Sequence, residues 1–197
     1  MSENTEYRGC NIKIDYDESP ESPREWEDNS VFIGLKDHHY TVGDEQIDDI
    51  EELEERLKEE GKHIGLPVYI YEHSQRFYKT EGSGTINGGF IFITLENIRK
   101  EYGWERITKK RRNEIIERLK SEIEIYSQWA NGEVYGFTVT DKHGKHIDSC
   151  FGFYGSDDSY MMEEAKGSID YYLDTERPRQ IRVEFKQKAL HDLQGVG

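Results

Sequence analysis

Cysteine is nearly missing from this chain: Cys10 and Cys150 are the only two in 197 residues. They lie far apart in sequence, which excludes a disulfide framework and fits a reducing compartment. Long apolar runs are missing too. The longest stretch without a charge, Gly82 to Leu95, has 14 residues interrupted by Gly82, Gly84, Gly88 and Gly89, too short and too broken to span a bilayer. The opening MSENTEYRG has no apolar run, so no secretory signal and no membrane association are expected. Cations are in deficit, with 26 Lys and Arg against 41 Asp and Glu, a formal charge of −15. Such a chain repels phosphate unless its charges are segregated, so direct nucleic-acid binding is disfavoured. Hydrophobic residues make up only 34%. Yet 13 Tyr, 8 Phe and 3 Trp supply much buried area per residue, which argues for a folded domain rather than disorder.

The charge is segregated. Residues 1–60 hold 20 acids against 6 bases, a net of −14, whereas residues 61–197 hold 21 acids and 20 bases. Within the near-neutral remainder, Arg99 to Lys120 carries 9 bases against 4 acids, a local +5. The chain reads as bipolar. Acids of this kind suit plain solvated faces, and the two poles can also pair with each other. They equally suit a surface built to meet a basic protein, where complementary fields speed encounter and exclude wrong partners.

Period-two alternation marks strands at Cys10–Asp17 and in the flanks of DKHGK, Glu133–Thr140 and His146–Tyr154, the clearest hairpin. Short apolar runs suggest strands at Val31–Leu35, Leu66–Tyr71 and Gly89–Thr94. Ile47, Ile50, Leu53 and Leu57 form one face of an acidic helix capped by Asp44 or Asp48 and ended by Gly61. Thr94 caps a short helix closed by Gly103. Thr108 caps the longest one, with Ile115 or Ile116, Leu119, Ile123, Tyr126 and Ala130 as its core stripe. Ser159 caps another, with Met162, Ala165, Ile169 and Tyr172 on one face. Gln180–Phe185 reads as a last strand or a continuing helix. Strands arriving in adjacent pairs predict an α+β fold: one domain, a mainly antiparallel sheet with three to four helices. Its parts are an acidic segment over 1–60, a body over 61–176 and a C-terminal strand or tail over 177–197.

No catalytic, cofactor or phosphate-binding motif stands out; the glycines at 82–89 lack a P-loop lysine. His143, His146 and Asp148 approach a metal-ligand spacing but lack a fourth ligand, and a solvated turn accounts for them. Asp15, Asp17, Asp28, Asp37 and Asp44 are oxygen donors that a divalent cation would accept if the fold gathered them. Cys150 lies between His146, Asp148 and two aromatics, Phe151 and Phe153, which alternation puts on a common face; that setting reads as a buried thiol. Trp26 sits in a charged loop and is either a plug that pins the loop or an anchor for a partner.

Two blocks carry a resemblance. One is Ser22-Pro23-Arg24-Glu25-Trp26-Glu27-Asp28-Asn29 followed by Val42-Gly43-Asp44-Glu45. The other is Gly132-Glu133-Val134-Tyr135-Gly136-Phe137 followed by Asp148-Ser149-Cys150-Phe151-Gly152-Phe153-Tyr154-Gly155. With LPVYIYEHS at 66–74 and ERITKK at 105–110, the chain resembles a family of small proteins encoded by bacteriophages and prophages. Where that family carries a basic HRRY-like segment, this chain has Lys36-Asp37-His38-His39-Tyr40. The resemblance implies a protein of the host-cell cytoplasm and, by analogy with other small acidic phage products, a counter-defence role.

The expected function is therefore non-enzymatic: an antirestriction or anti-CRISPR inhibitor that presents an acidic face to a basic, nucleic-acid-binding host enzyme. The candidate contacts are Asp48, Asp49, Glu51, Glu52, Glu54, Glu55, Glu59 and Glu60 on the acidic helix. Duplex DNA carries about 12 phosphates over the ~20 Å this segment spans. As a DNA mimic the helix is thus sparse, and needs Asp15, Asp17, Glu18, Glu25, Glu27 and Asp28, with Trp26, beside it. The alternative is a metal-dependent hydrolase of nucleotides or nucleic acid working through the N-terminal carboxylates, with Arg99–Lys120 holding phosphate.

Overall fold

The computed structural model describes residues 3–26, 29–36, 41–60, 62–72, 74–155 and 158–194, the last six by their backbone alone. The fold is α+β, with a four-stranded and a five-stranded sheet, mainly antiparallel. The chain divides into two compact units, Met1–Ser19 with Val134–Gly197, and Pro20–Glu133. The acidic first 60 residues are thereby shared between them. Residues 20–60 carry 15 acids and 4 bases, a net of −11.

In the discontinuous unit, β1 (Glu3–Tyr7), β2 (Cys10–Tyr16), β8 (Val134–Thr140) and β9 (His146–Tyr154) form an antiparallel sheet in that order. The register sets Ile12 opposite Val139 and Ile14 opposite Phe137. These residues share a core with Cys10 and with Met161, Ala165 and Ile169 of α4 (Ser159–Tyr171). Met161 rather than Met162 is the buried methionine, and Asp158 rather than Ser159 is the N-cap residue. Burial pushes the Cys10 thiol pKa up.

A π turn (Tyr172–Glu176) joins α4 to α5 (Arg177–Gln194), so of the two readings of Gln180–Phe185, last strand or continuing helix, the helix is the one observed. Counted as one rod, α4, the turn and α5 bring the described helices to four. Alternation also fails in β9. The register passes from Gly136–Phe151 to Tyr135–Phe153, leaving Gly152 as an extra bulged residue with φ +89°. Phe153 therefore packs toward Phe137 and Tyr160, whereas Phe151 lies across Gly136, and Cys150 is exposed rather than buried.

In the continuous unit the sheet order is β4-β3-β7-β5-β6: β4 (Glu45–Ile47), β3 (Val31–Leu35), β7 (Gly89–Thr94), β5 (His63–Glu72) and β6 (Arg76–Lys79). Only β3–β4 is parallel. Alternation gives the sheet two apolar faces. Ile33, Ile47 and Phe92 meet Leu53 of α1 (Ile50–Glu59). Phe32, Ile64, Val68, Ile91 and Ile93 meet Ile98 of α2 (Leu95–Tyr102) and the Ile115, Leu119, Ile123 and Tyr126 stripe of α3 (Lys109–Ala130). Ile116 is half-buried and Ala130 exposed. The sheet thus stands between α1 and the α2–α3 layer. The caps at Thr94, Gly103 and Thr108 are as expected; Asp49 caps α1, accepting from the Glu52 amide at 2.9 Å. Gly61, expected to end α1, lies outside the described residues.

A Cβ on Gly136 would sit 2.1 Å from Cδ1 of Phe151 and 2.7 Å from the Cys150 carbonyl oxygen. We predict that Gly136→Ala lowers stability by about 1–3 kcal/mol. Part of that loss returns in Gly136→Ala/Phe151→Ala, measured by urea denaturation. Equal losses in the two backgrounds would contradict the close approach of this ring.

Candidate functional site

The segment that carries Pro23 and Arg24 is held by a partly buried charge network with Arg24 as its hub. Its side chain is only 9% exposed. It grips the Asp44 carboxylate with two parallel bonds, Nε to Oδ1 at 2.8 Å and Nη2 to Oδ2 at 2.7 Å. It also donates to Glu122 Oε2 of α3 at 3.2 Å and to the Ser30 carbonyl at 3.0 Å. The Ser30 hydroxyl donates to the same Glu122 oxygen, and the Phe32 amide donates to Asp44 Oδ2 at 2.8 Å. The chain of charges continues: Arg118 donates from Nε to Glu122 Oε1 at 2.9 Å and reaches Glu101 and the Tyr102 hydroxyl. Asn29 closes the far end on Glu101 at 3.0 Å. Alternating signs let these groups lie close together, with Arg24 and Glu122 the most shielded from water.

Neighbouring groups fix the same loop. Trp129 donates from Nε1 to the Pro20 carbonyl at 3.2 Å, and Pro23 is buried. The Gly43 amide donates to the Tyr126 hydroxyl at 3.3 Å. Burial pushes the Tyr126 phenol pKa up, against that hydrogen bond. Gly43 itself has φ +76°, and a Cβ there would fall 2.3 Å from the Phe32 carbonyl oxygen. Trp26, whose candidate roles are loop plug or partner anchor, is 41% exposed, and Arg24, Pro20 and Pro23 also hold the loop.

The structure sorts the expected contact residues. Glu51, Glu54, Glu55 and Glu59 project from α1, exposed, on the side away from Leu53. The other four acids of that segment are engaged locally. Asp48 pairs with Lys36 at 2.8 Å, Asp49 is the N-cap, Glu52 accepts from the Asp48 amide at 2.8 Å, and Glu60 pairs with Arg56. Each pairing also holds its cation charged, raising the pKa of Lys36 and of Arg56. Glu25 is exposed on the loop. Glu27 and Asp28 lie outside the described residues. Asp15, Asp17 and Glu18 belong to the other unit, where Asp15 pairs with Lys13 at 2.6 Å and Asp17 accepts from the Ser19 amide at 3.0 Å. The fifteen candidates are therefore not one described surface; the described ridge is that of α1.

The carboxylates of the hydrolase reading are dispersed as well. Asp44 is held by Arg24, Asp15 and Asp17 are in the other unit, and Asp28 and Asp37 lie outside the described residues. Among the described residues no group of three or more His, Cys, Asp and Glu side chains is placed to hold a metal ion, and no helix is long and apolar enough to cross a membrane. Asp148 accepts the Ser168 hydroxyl at 2.6 Å instead of joining His143 and His146.

Sequence reasoning singled out Trp26 and passed over Arg24, Ser30, Glu101, Arg118 and Glu122. The available signal was an arginine in an acidic loop flanked by two prolines and a serine. No family model, curated protein or solved structure matches the chain.

Removing the Arg24 charge leaves Glu122, largely shielded, and Asp44, more exposed, without their cation. Arg24→Leu is expected to cost about 2–3 kcal/mol. Arg24→Lys should recover less than half of that, since an ammonium cannot make the two-pronged contact. Urea denaturation measures both, and a loss below 1 kcal/mol for Arg24→Leu would contradict the assigned role.

Proposed function

We propose that this chain is a counter-defence binding protein. It sets the outward face of α1 against the cationic nucleic-acid channel of a host restriction or CRISPR-type enzyme and competes with the nucleic acid there. The observation that carries the reading is the stripe Glu51, Glu55 and Glu59, spaced four residues apart on the exposed side of α1. Like charges at that spacing repel and weaken the helix by a few tenths of a kcal/mol per pair. The stripe thus opposes the stability of α1, which docking of Leu53 upholds. The described residues give these three and Glu54 no ion-pair partner, and the sheet stands between them and the basic α2–α3 layer. The resemblance to phage-encoded proteins turns a general acidic contact toward a defence enzyme.

Three carboxylates over about 12 Å are fewer than the ~7 phosphates duplex DNA carries over that length. The ridge therefore steers encounter and register more than it imitates a duplex. Binding of this kind weakens as salt rises.

The test is DNA cleavage by purified restriction and CRISPR nucleases, titrated with the protein at low and high salt. Inhibition should weaken with salt. In the variant with Glu51, Glu54, Glu55 and Glu59 all changed to Gln, the half-inhibitory concentration should rise at least tenfold. Undiminished inhibition by that variant, or none by the wild type, contradicts the proposal. A single change separates function from folding: Glu55→Lys turns two repulsive pairs into attractive ones. It should raise stability by about 1 kcal/mol in urea denaturation while weakening inhibition.

A further inference from the structure

The end of the discontinuous unit carries a second and independent surface. Helix α5 continues the α4 rod through the π turn, and Lys145 Nζ donates to Gln180 Oε1 at 3.3 Å. Beyond that point residues 181–188 are all exposed, including Ile181 at 43%, Val183 at 52% and Phe185 at 72%. Ile181 and Phe185, four residues apart, share one side of the helix, with Arg177, Arg182 and Lys188 around them. On a chain of charge −15, α5 is basic, with Arg177, Arg179, Arg182, Lys186 and Lys188 against Glu184 and Asp192. Large apolar side chains exposed on this helix mark a contact surface.

The same unit contains the complement. A groove of about 510 Å³ runs between β9 and the α4 rod. Ile147, Tyr171 and Tyr172 give it apolar surface, and Asp148, Glu163, Glu164 and Glu176 give it acidic groups. Gly167 widens it, since a Cβ there would meet nothing within 4 Å. Glu163, Glu164 and Glu176 are exposed at the rim. The groove ends where α5 begins, so α5 leads away from it.

We propose that α5 of one copy docks in this acidic groove of a second copy, and reciprocally, forming a two-fold homodimer. Both halves of the contact are on every chain, as an isologous interface requires. The sign of each half suits the other: a basic helix with apolar anchors meets a mainly polar groove with carboxylates at its rim and Ile147 and the tyrosine rings as its apolar part. An α5 about 27 Å long and roughly 10 Å wide would bury about 1,100 Å² in two such contacts, close to the lower end of stable interfaces. The exchange does not depend on the reading of α1, which lies in the other unit.

Sedimentation velocity of the full chain over 1–200 µM is the test, with circular dichroism to confirm folding. The wild type should dimerise, with dissociation favoured by salt. Phe185→Glu and Ile181→Glu, at exposed positions, should be folded monomers, with the dimer dissociation constant raised at least tenfold. Glu163→Lys/Glu164→Lys should also be monomeric, and mixing it with Arg182→Glu/Lys186→Glu should restore a heterodimer through two matched contacts, one native and one with its charges exchanged. A wild type monomeric throughout the range overturns the proposal, as does a dimer that Phe185→Glu leaves intact. So does co-sedimentation of a monomer with phosphatidylglycerol vesicles in place of self-association.

Discussion

A single guanidinium, that of Arg24, holds two carboxylates from distant parts of the chain, Asp44 before β4 and Glu122 in α3. The Pro20–Ser30 loop, the Val42–Asp44 turn and the long helix converge on it, and Ser30, Arg118 and Glu101 complete the chain of alternating charges. Buried ions are costly unless every one is matched. Matching here fixes the loop that carries Glu25 and Trp26 and the start of the segment leading to α1. Two separated parts of the chain are joined here: Arg24 and Asp44 bind each other, and Gly43 permits the turn that brings them together.

The five-stranded sheet adds a second constraint. Its two apolar faces accept α1 on one side and α2 with α3 on the other, and the sequence loads those layers with opposite charge. Part of the cationic surplus is neutralised within its own layer, as Arg118 shows with Glu101 and Lys120 with Glu117. The α1 stripe has no such relief among the described residues. An acidic helix that repels itself and is kept helical by three apolar anchors is an arrangement suited to contact rather than to stability.

Helices with a long apolar stripe and side-chain caps were legible in the sequence, because α3 needs only Ile115, Leu119, Ile123 and Tyr126 in register and Thr108 before them. The β8–β9 hairpin was legible from alternation around a glycine turn. What escaped depends on partners far away in sequence. Short β4 and β6 are strands because β3 and β5 lie beside them. The side-chain direction of Phe151 depends on the Gly152 bulge, which simple alternation does not register. Ile181, Val183 and Phe185 keep a strand's period, so their sequence leaves strand and continuing helix both open, and continuity of the rod with α4 decides for the helix. Of the candidate site, the four projecting glutamates of α1 were legible by spacing. Their division from Asp15, Asp17 and Glu18 was not, since the unit boundary falls at Ser19 and Pro20.

The most direct measurement of the central claim is amide hydrogen exchange on the protein alone and bound to a nuclease it inhibits. The account predicts slowed exchange concentrated in residues 50–59, reversed by added salt together with release of the nuclease. Unchanged exchange across α1, with protection confined to α2, α3 or the β8–β9 sheet, would contradict it.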